Sequence, residues 1–223
     1  MEKYRVLEIK ESVFASNDKE ASLVRSELKE HHCYMLNVMS SPGSGKTTLL
    51  VNLINRLKTK LRIGVMEADI DSDVDCATIV EKTGVKAIQL HTAGECHLTA
   101  QMTKDSLDGF GIDGLDLVII ENIGNLVCPA EFDTGATKNL CILSVPEGDD
   151  KPLKYPLMFQ VSNIDVISKI DTLPVFDFNV EVCKERMKKR NPNCVIFPVS
   201  AKTNQGMDEL ADYLCQDVLK AIK

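Results

Sequence analysis

The run Ser40-Ser41-Pro42-Gly43-Ser44-Gly45-Lys46-Thr47-Thr48 constrains this chain more than any other stretch of it. It follows an apolar, partly β-branched segment at 34–39 and leads into a helical pattern from Thr47 to Lys58, giving the order strand, glycine-rich turn, Gly-Lys-Thr, helix. In that order the backbone N–H groups of the turn and the helix N-terminus surround phosphate oxygens. Gly43, Ser44, Gly45 and Thr48 line the cradle, Lys46 reaches the β- and γ-oxygens, and Thr47 is placed to ligate Mg²⁺. Ser40 stands where G-x-x-x-x-G-K-[ST] has its first glycine, which asks only that the backbone there accept a Cβ.

Apolar runs recur at 34–39, 62–66, 86–90, 116–120, 139–145, 163–168 and 194–199, and read as strands. Helical spacing lies between many of them, at Thr47 to Lys58, Val74 to Thr83, Val180 to Arg190 and Gly206 to Ile222. In the last, Met207, Leu210, Leu214 and Val218 share one face. This alternation predicts an α/β P-loop NTPase fold, a mostly parallel sheet flanked by helices on both faces. Ligands of such sheets bind beyond the carboxyl ends of the strands, so the post-strand loops hold the functional candidates.

The first 33 residues lack the alternation, with Ser16 or Asn17 as the cap of an amphipathic helix. The expected organisation is an N-terminal helical extension over 1–33 and a GTPase domain over 34–223. At 223 residues there is no room for a second large domain. No apolar run approaches the roughly 20 residues that span a bilayer, and no signal peptide opens the chain, so a cytoplasmic protein without a membrane role is expected. Eight cysteines with no C-x-x-C pair read as reduced thiols. A net charge of −7 with scattered lysines argues against nucleic-acid partners.

The base is read from two later elements. Lys169-Ile170-Asp171 after the sixth apolar run resembles the N-K-x-D element of GTPases. A carboxylate there accepts from guanine N1–H and the 2-amino group, whereas adenine offers a lone pair at N1. Ser168 replaces the usual asparagine and removes one amide from the guanine edge. Ser200-Ala201-Lys202 after the seventh run resembles the S-A-K element beside the base.

Two acids fall at strand ends suited to Mg²⁺: Asp69 after the second run and Glu121 after the fourth. Glu121 and Gly124 occupy the place of the D-x-x-G segment. Asp69, Asp71, Asp73 and Asp75 alternate, and Asp69, alone or with Asp71, is the expected ligand, the rest being solvated acids at a helix start.

Cys96, His97 and Cys128 lie in expected post-strand loops, Cys128 seven residues after Glu121. Thiolate and imidazole suit Zn²⁺, Cu⁺ and Ni²⁺, yet spacing alone favours a buried cysteine and a surface histidine. Resemblance decides between these. From Tyr34 onward, SSPGSGKTTLL, EADI-DSD, AGECHL, ENIGNLVCPAEFD, VPEGDDKPLKYPLMF and SKID resemble the hydrogenase nickel-incorporation GTPases of the HypB family, in the SIMIBI class.

That resemblance implies a GTP/GDP-dependent homodimer delivering nickel to the large subunit of [NiFe]-hydrogenase, with the nickel-binding protein HypA as a partner. It makes Cys96, His97 and Cys128 a Ni²⁺ or Zn²⁺ site. Three ligands are one short of a closed tetrahedron, leaving water or a second copy of the chain to complete it. A slow, switch-like hydrolysis follows, with Lys46 neutralising charge, Mg²⁺ held by Thr47 and a carboxylate (Asp69 or Glu121), and Glu121 or its segment placing water. The family's Cys-rich or His-rich N-terminal nickel motif is reduced here to His31, His32 and Cys33, read as a helix end as readily as a ligand set. Cys76, Cys141, Cys183, Cys194 and Cys215 read as core or surface thiols. Three rivals remain: a urease-type accessory GTPase, whose Cys-Pro-His is Cys128-Pro129-Ala130 here, a small-molecule kinase using the same loop, and a metal-storage protein that holds nucleotide without hydrolysing it.

Overall fold

A computed structural model of the protein describes residues 9–70, 72–92 and 94–223, with side chains from residue 13 onward. Within them one sheet is built from β1 (Tyr34–Ser40), β2 (Ile63–Asp69), β3 (Lys86–His91), β4 (Leu117–Glu121), β5 (Lys138–Ser144), β6 (Ile164–Ser168) and β7 (Val195–Pro198). Every pairing is parallel and the order is β3-β2-β4-β1-β5-β6-β7. The helices are α1 (Ile9–Glu30), α2 (Lys46–Leu57), α3 (Val74–Thr83), α4 (Ala100–Phe110), α5 (Cys128–Glu131), α6 (Lys151–Lys154), α7 (Pro156–Val161), α8 (Val180–Arg190) and α9 (Met207–Ala221).

The seven apolar runs are the seven strands, within a few residues at each end. The central β1 is buried along its whole length and splits its side chains between two faces, as the strand period of two requires. Tyr34, Leu36 and Val38 join Leu50, Leu53 and Ile54 of α2 with Leu210, Leu214 and Val218 of α9. Met35 joins Val24 and Leu28 of α1 with Leu107 and Phe110 of α4, while Met39 joins Cys141, Met158, Phe159 and Met187 under α7 and α8. Helices therefore cover both faces. The chain leaves β1 between β4 and β5, where the sheet order reverses, and opens a crevice there.

Two local readings need correction. α1 starts no later than Ile9, so Ser16 and Asn17 lie inside it rather than capping it; residues 1–8 of the expected extension fall outside the described residues. Asparagine inside a helix is a poor former, and Asn17 is held by long-range hydrogen bonds described below. The helix α4 was absent from the sequence reading. Thr99 caps it by accepting from the Met102 N–H at 3.2 Å, and Ala100, Thr103, Leu107 and Phe110 form its buried face. A polar Thr103 in that stripe and Gly109 near its end disguise the period.

His31 and His32 close α1, with His31 2.8 Å from Asp113, and Cys33 is buried beneath. Cys141, Cys183, Cys194 and Cys215 are buried thiols and Cys76 is half-buried on α3. Beside Cys141, Cys183 and Cys194 sits Asp165 of β6, whose carboxyl is pushed up to about 6 by burial that Ser162 and the Cys194 thiol only partly offset. A buried amide ladder, Asn122 to Asn37 at 3.1 Å and Asn37 to Asn139 at 3.0 Å, ties the end of β4 to β1 and β5.

Candidate nucleotide and metal site

Ser40 ends β1 in an extended conformation, which explains why no glycine is needed there. Its buried hydroxyl accepts from Ser44 Oγ at 2.7 Å and donates to the Ser41 carbonyl at 2.8 Å, bracing the loop from inside. Gly45, in the left-handed region at φ 94°, turns the chain into α2. The base-reading elements grip the same loop. Ser168 Oγ donates to the Ser44 carbonyl at 2.9 Å and Lys169 Nζ to the Gly43 carbonyl at 2.7 Å. Ser168 is thus turned toward the phosphate loop, where the sequence reading had weighed it only for its effect on the base.

Asp171 accepts from Ser200 Oγ at 2.6 Å, which fixes its carboxylate. Ser44, Gly45, Thr48, Lys169, Asp171, Ala201 and Lys202 line a cavity of about 300 Å³. Lys169, Asp171, Ala201 and Lys202, expected to read the base, therefore converge on one cavity beside the loop, with Ser200 behind them holding Asp171.

The acids divide differently from expectation. Glu121 ends β4, 1 % exposed, with its carboxylate 4.0 Å from Lys46 Nζ. Oxygens of Glu67, Asp75 and Glu121 lie within 4.8 Å of one another. Glu67, within β2, is not among the expected ligands, its signal being an acid inside the apolar strand IGVMEAD, and Asp75, on α3, is expected as a solvated acid but faces Glu121 instead. Asp69 stands outside that cluster of three and accepts from the Ser72 N–H at 2.8 Å, while Asp71 lies outside the described residues. Burial pushes Glu121 up to about 8 and Glu67 up to about 7, Lys46 opposing both. Glu67 Oε2 and Glu121 Oε2 are buried with no hydrogen-bond partner. Two orphaned acceptors beside a phosphate loop fit a hard divalent cation.

Beyond Glu121 the chain runs past the phosphate loop. A Cβ on Gly124 would lie 3.1–3.2 Å from Pro42 side-chain and backbone atoms, so a side chain here would press on the phosphate loop and glycine lets the segment pass close to it. It continues to Cys128 at the start of α5, a one-turn helix where a loop was expected. Cys96 Sγ is 3.0 Å from Cys128 Sγ and 3.9 Å from His97 Nδ1, and the three ligand atoms lie within 4.8 Å. Tetrahedral Zn²⁺ ligand edges are about 3.4–3.8 Å, so movements of up to about an ångström bring the three ligand atoms around an ion. Hydrogen bonding to Cys128 raises the Cys96 thiol, and burial lowers His97, which favours the uncharged imidazole that metal binding requires.

The family described as CobW/HypB/UreG, nucleotide-binding domain, matches residues 34–198. The hydrogenase maturation factor HypB of Escherichia coli K12 is 41 % identical over 214 residues, covering 96 % of this chain and 73 % of the relative. The hydrogenase/urease maturation factor HypB of Helicobacter pylori J99 is 41 % identical, covering 94 % of this chain and 87 % of its own length. Among solved structures, HypB from Helicobacter pylori in complex with nickel superposes with a TM-score of 0.85 at 40 % identity, covering 93 % of this chain and 97 % of the other. HypB from Archaeoglobus fulgidus gives 0.84 at 36 %, covering 92 % and 99 %. The signal recognition particle receptor FtsY gives 0.56 at 15 %, a likeness of fold alone. A phosphate loop braced from β1 and β6, together with these likenesses over nearly the whole chain, makes this a nucleotide-binding protein that belongs to the HypB family.

Proposed function

We propose that this chain is a GTP-hydrolysing metallochaperone that assists nickel insertion into the large subunit of [NiFe]-hydrogenase, its nucleotide state governing dimerisation and its hold on the metal. The observation that carries this reading is the segment from Glu121 to Cys128. It begins at a buried acid facing Lys46, passes against Pro42, and ends at a ligand of the Cys96–His97–Cys128 trio. A group that senses the γ-phosphate and a group that holds metal are seven residues apart on one strand of chain.

In this reading Lys46 stabilises charge on the transferring phosphoryl group and Asp171 selects guanine. Mg²⁺ would be held by Thr47 with Glu121, Glu67 and Asp75, and Asp69 is retained as an alternative ligand; the ion would supply charge neutralisation between the phosphates. Glu121 or its segment positions the attacking water. Nickel is cargo, with Zn²⁺ a competitor for the same ligands. The missing fourth ligand supports a site completed by water or by a second copy of the chain, hence a homodimer, and HypA is the proposed nickel-binding partner.

We read residues 34–223 as the GTPase domain and 1–33 as its helical extension. Eight free cysteines suit a reducing cytoplasm, and no described helix is long and apolar enough to cross a membrane. One relative's name joins hydrogenase to urease, which supports a second reading in which this chain also serves a urease.

Phosphate release from GTP and ATP tests the enzyme. GTP should be preferred, and Asp171→Asn should move preference toward xanthosine triphosphate, whose C2 oxygen accepts from an amide. Preference for ATP would return the chain to the kinase reading.

A further inference from the structure

The three candidate metal ligands come from two segments, 96–97 and 128, that the sheet does not hold side by side. What links them is a side chain of the N-terminal helix. Asn17 of α1 is 7 % exposed. Its Oδ1 accepts from the Ala100 N–H at 2.9 Å, three residues after His97, and its Nδ2 donates to the Asp133 carbonyl at 2.8 Å, five residues after Cys128. One amide thus uses its acceptor on the Cys96–His97 segment and its donor on the Cys128 segment.

Neighbouring contacts act in the same direction. The His97 ring stacks on Phe132 at 3.9 Å between centroids, and Phe132 packs against Phe14 of α1 at 5.1 Å. Arg25 holds both Asp133 carboxylate oxygens at 2.5 and 2.7 Å. Gly135, at φ 80°, lets the segment lie against Val24, where a Cβ would come within 2.5 Å. Beyond the Cys96–Cys128 thiol pair and the His97–Phe132 stack, the two ligand segments are linked directly by a long contact, Asn125 Nδ2 to the Cys96 carbonyl at 3.5 Å.

We infer that Asn17 is a positioning residue for the Cys96–His97–Cys128 site, and that the seating of α1 sets how tightly the site holds a metal ion. This rests on reading the trio as a metal site. A helix that spans both ligand segments is a lever on them. If it shifts by an ångström, the Asn17 amide loses one of its two partners and the Cys96–Cys128 separation changes. Hydrogen-bonded supports of metal ligands typically alter affinity about 10–100-fold when removed.

The test uses the full chain with Ni²⁺ alone, titrated against a chromophoric chelator, and records the sulfur-to-nickel charge-transfer band. Asn17→Ala should weaken Ni²⁺ at least about 10-fold and change the band, with GDP affinity unchanged. Phe14→Ala, at a half-exposed position that leaves the fold intact, should weaken Ni²⁺ by about threefold and alter the band in the same sense. Cys128→Ser is the control. If wild type binds no stoichiometric Ni²⁺, or Cys128→Ser binds like wild type, the metal reading fails and this inference falls with it. If that control behaves and both α1 variants keep wild-type affinity and band, the inference alone is wrong. A lower melting temperature with an unchanged band would mark Asn17 as merely structural.

Discussion

At the nucleotide end each functional side chain is braced by a neighbour at the carboxyl edge of the sheet: Ser168 and Lys169 on the loop carbonyls, Ser200 on Asp171, Ser44 on Ser40. At the metal end the ligands are half-buried on connecting segments and are braced from outside the sheet, through Asn17, Phe14 and Phe132 of α1 and the α5 region. The contrast teaches that the phosphate loop is held by the sheet itself, whereas the spacing of the proposed metal ligands depends on how a separate helix is seated. The segment from Glu121 to Cys128 joins them.

The largest effect should come from separating the ends. Cys128→Ser should lower Ni²⁺ affinity by about 100-fold or more while GDP affinity stays unchanged, measured by competition titration and nucleotide fluorescence. Loss of both together would erase the contrast. Next is the shared carboxylate. Because Glu67 and Glu121 are raised to about 7 and about 8, Mg²⁺ must displace protons from them, so Mg²⁺ affinity of the GDP complex should climb between pH 6.5 and 8.5. Glu121→Gln should flatten most of that rise, read by isothermal titration at several pH values.

The brace on α1 should show in stability. Gly135→Ala forces a left-handed φ on alanine and drives its Cβ into Val24, and should cost about 2 kcal/mol or more in urea unfolding. The smallest effect belongs to Asp165, remote from both ends. Its folded pKa of about 6 lies above the ordinary aspartate value, so its neutral form favours the fold and that stability is lost as pH rises from about 4 through 6. Asp165→Asn should remove that slope and add roughly 1 kcal/mol at pH 7. Unchanged slopes in urea melts at pH 4.5 and 7 would show that Asp165 is not the source.

The sequence carried the parts of this account that depend on periodicity and on fixed spacing. The strands were visible because β1, β2, β4, β5 and β6 are largely buried and mostly apolar, and the α9 face because Met207, Leu210, Leu214 and Val218 keep their interval. The residues proposed to read the base and to hold metal stood out as motifs, and the fold brings each set together. What was hidden depends on contacts far apart in the chain. Ser168 braces a carbonyl 124 residues away, and Asn17 meets Ala100 and Asp133 across 83 and 116 residues. Glu67 was hidden by its strand, and Asp75 read as one more solvated acid until α3 brought it to Glu121.

The central claim is that nucleotide state sets the hold on metal through the Glu121–Cys128 segment. The most direct measurement is Ni²⁺ affinity of the same preparation loaded with GDP and with a non-hydrolysable GTP analogue, with its oligomeric state followed in parallel. A difference of about 10-fold or more, about 1.4 kcal/mol of coupling, accompanied by a change between monomer and dimer, is the predicted result. Equal affinities in the two states, with Mg²⁺ and nucleotide shown to be bound, would contradict it.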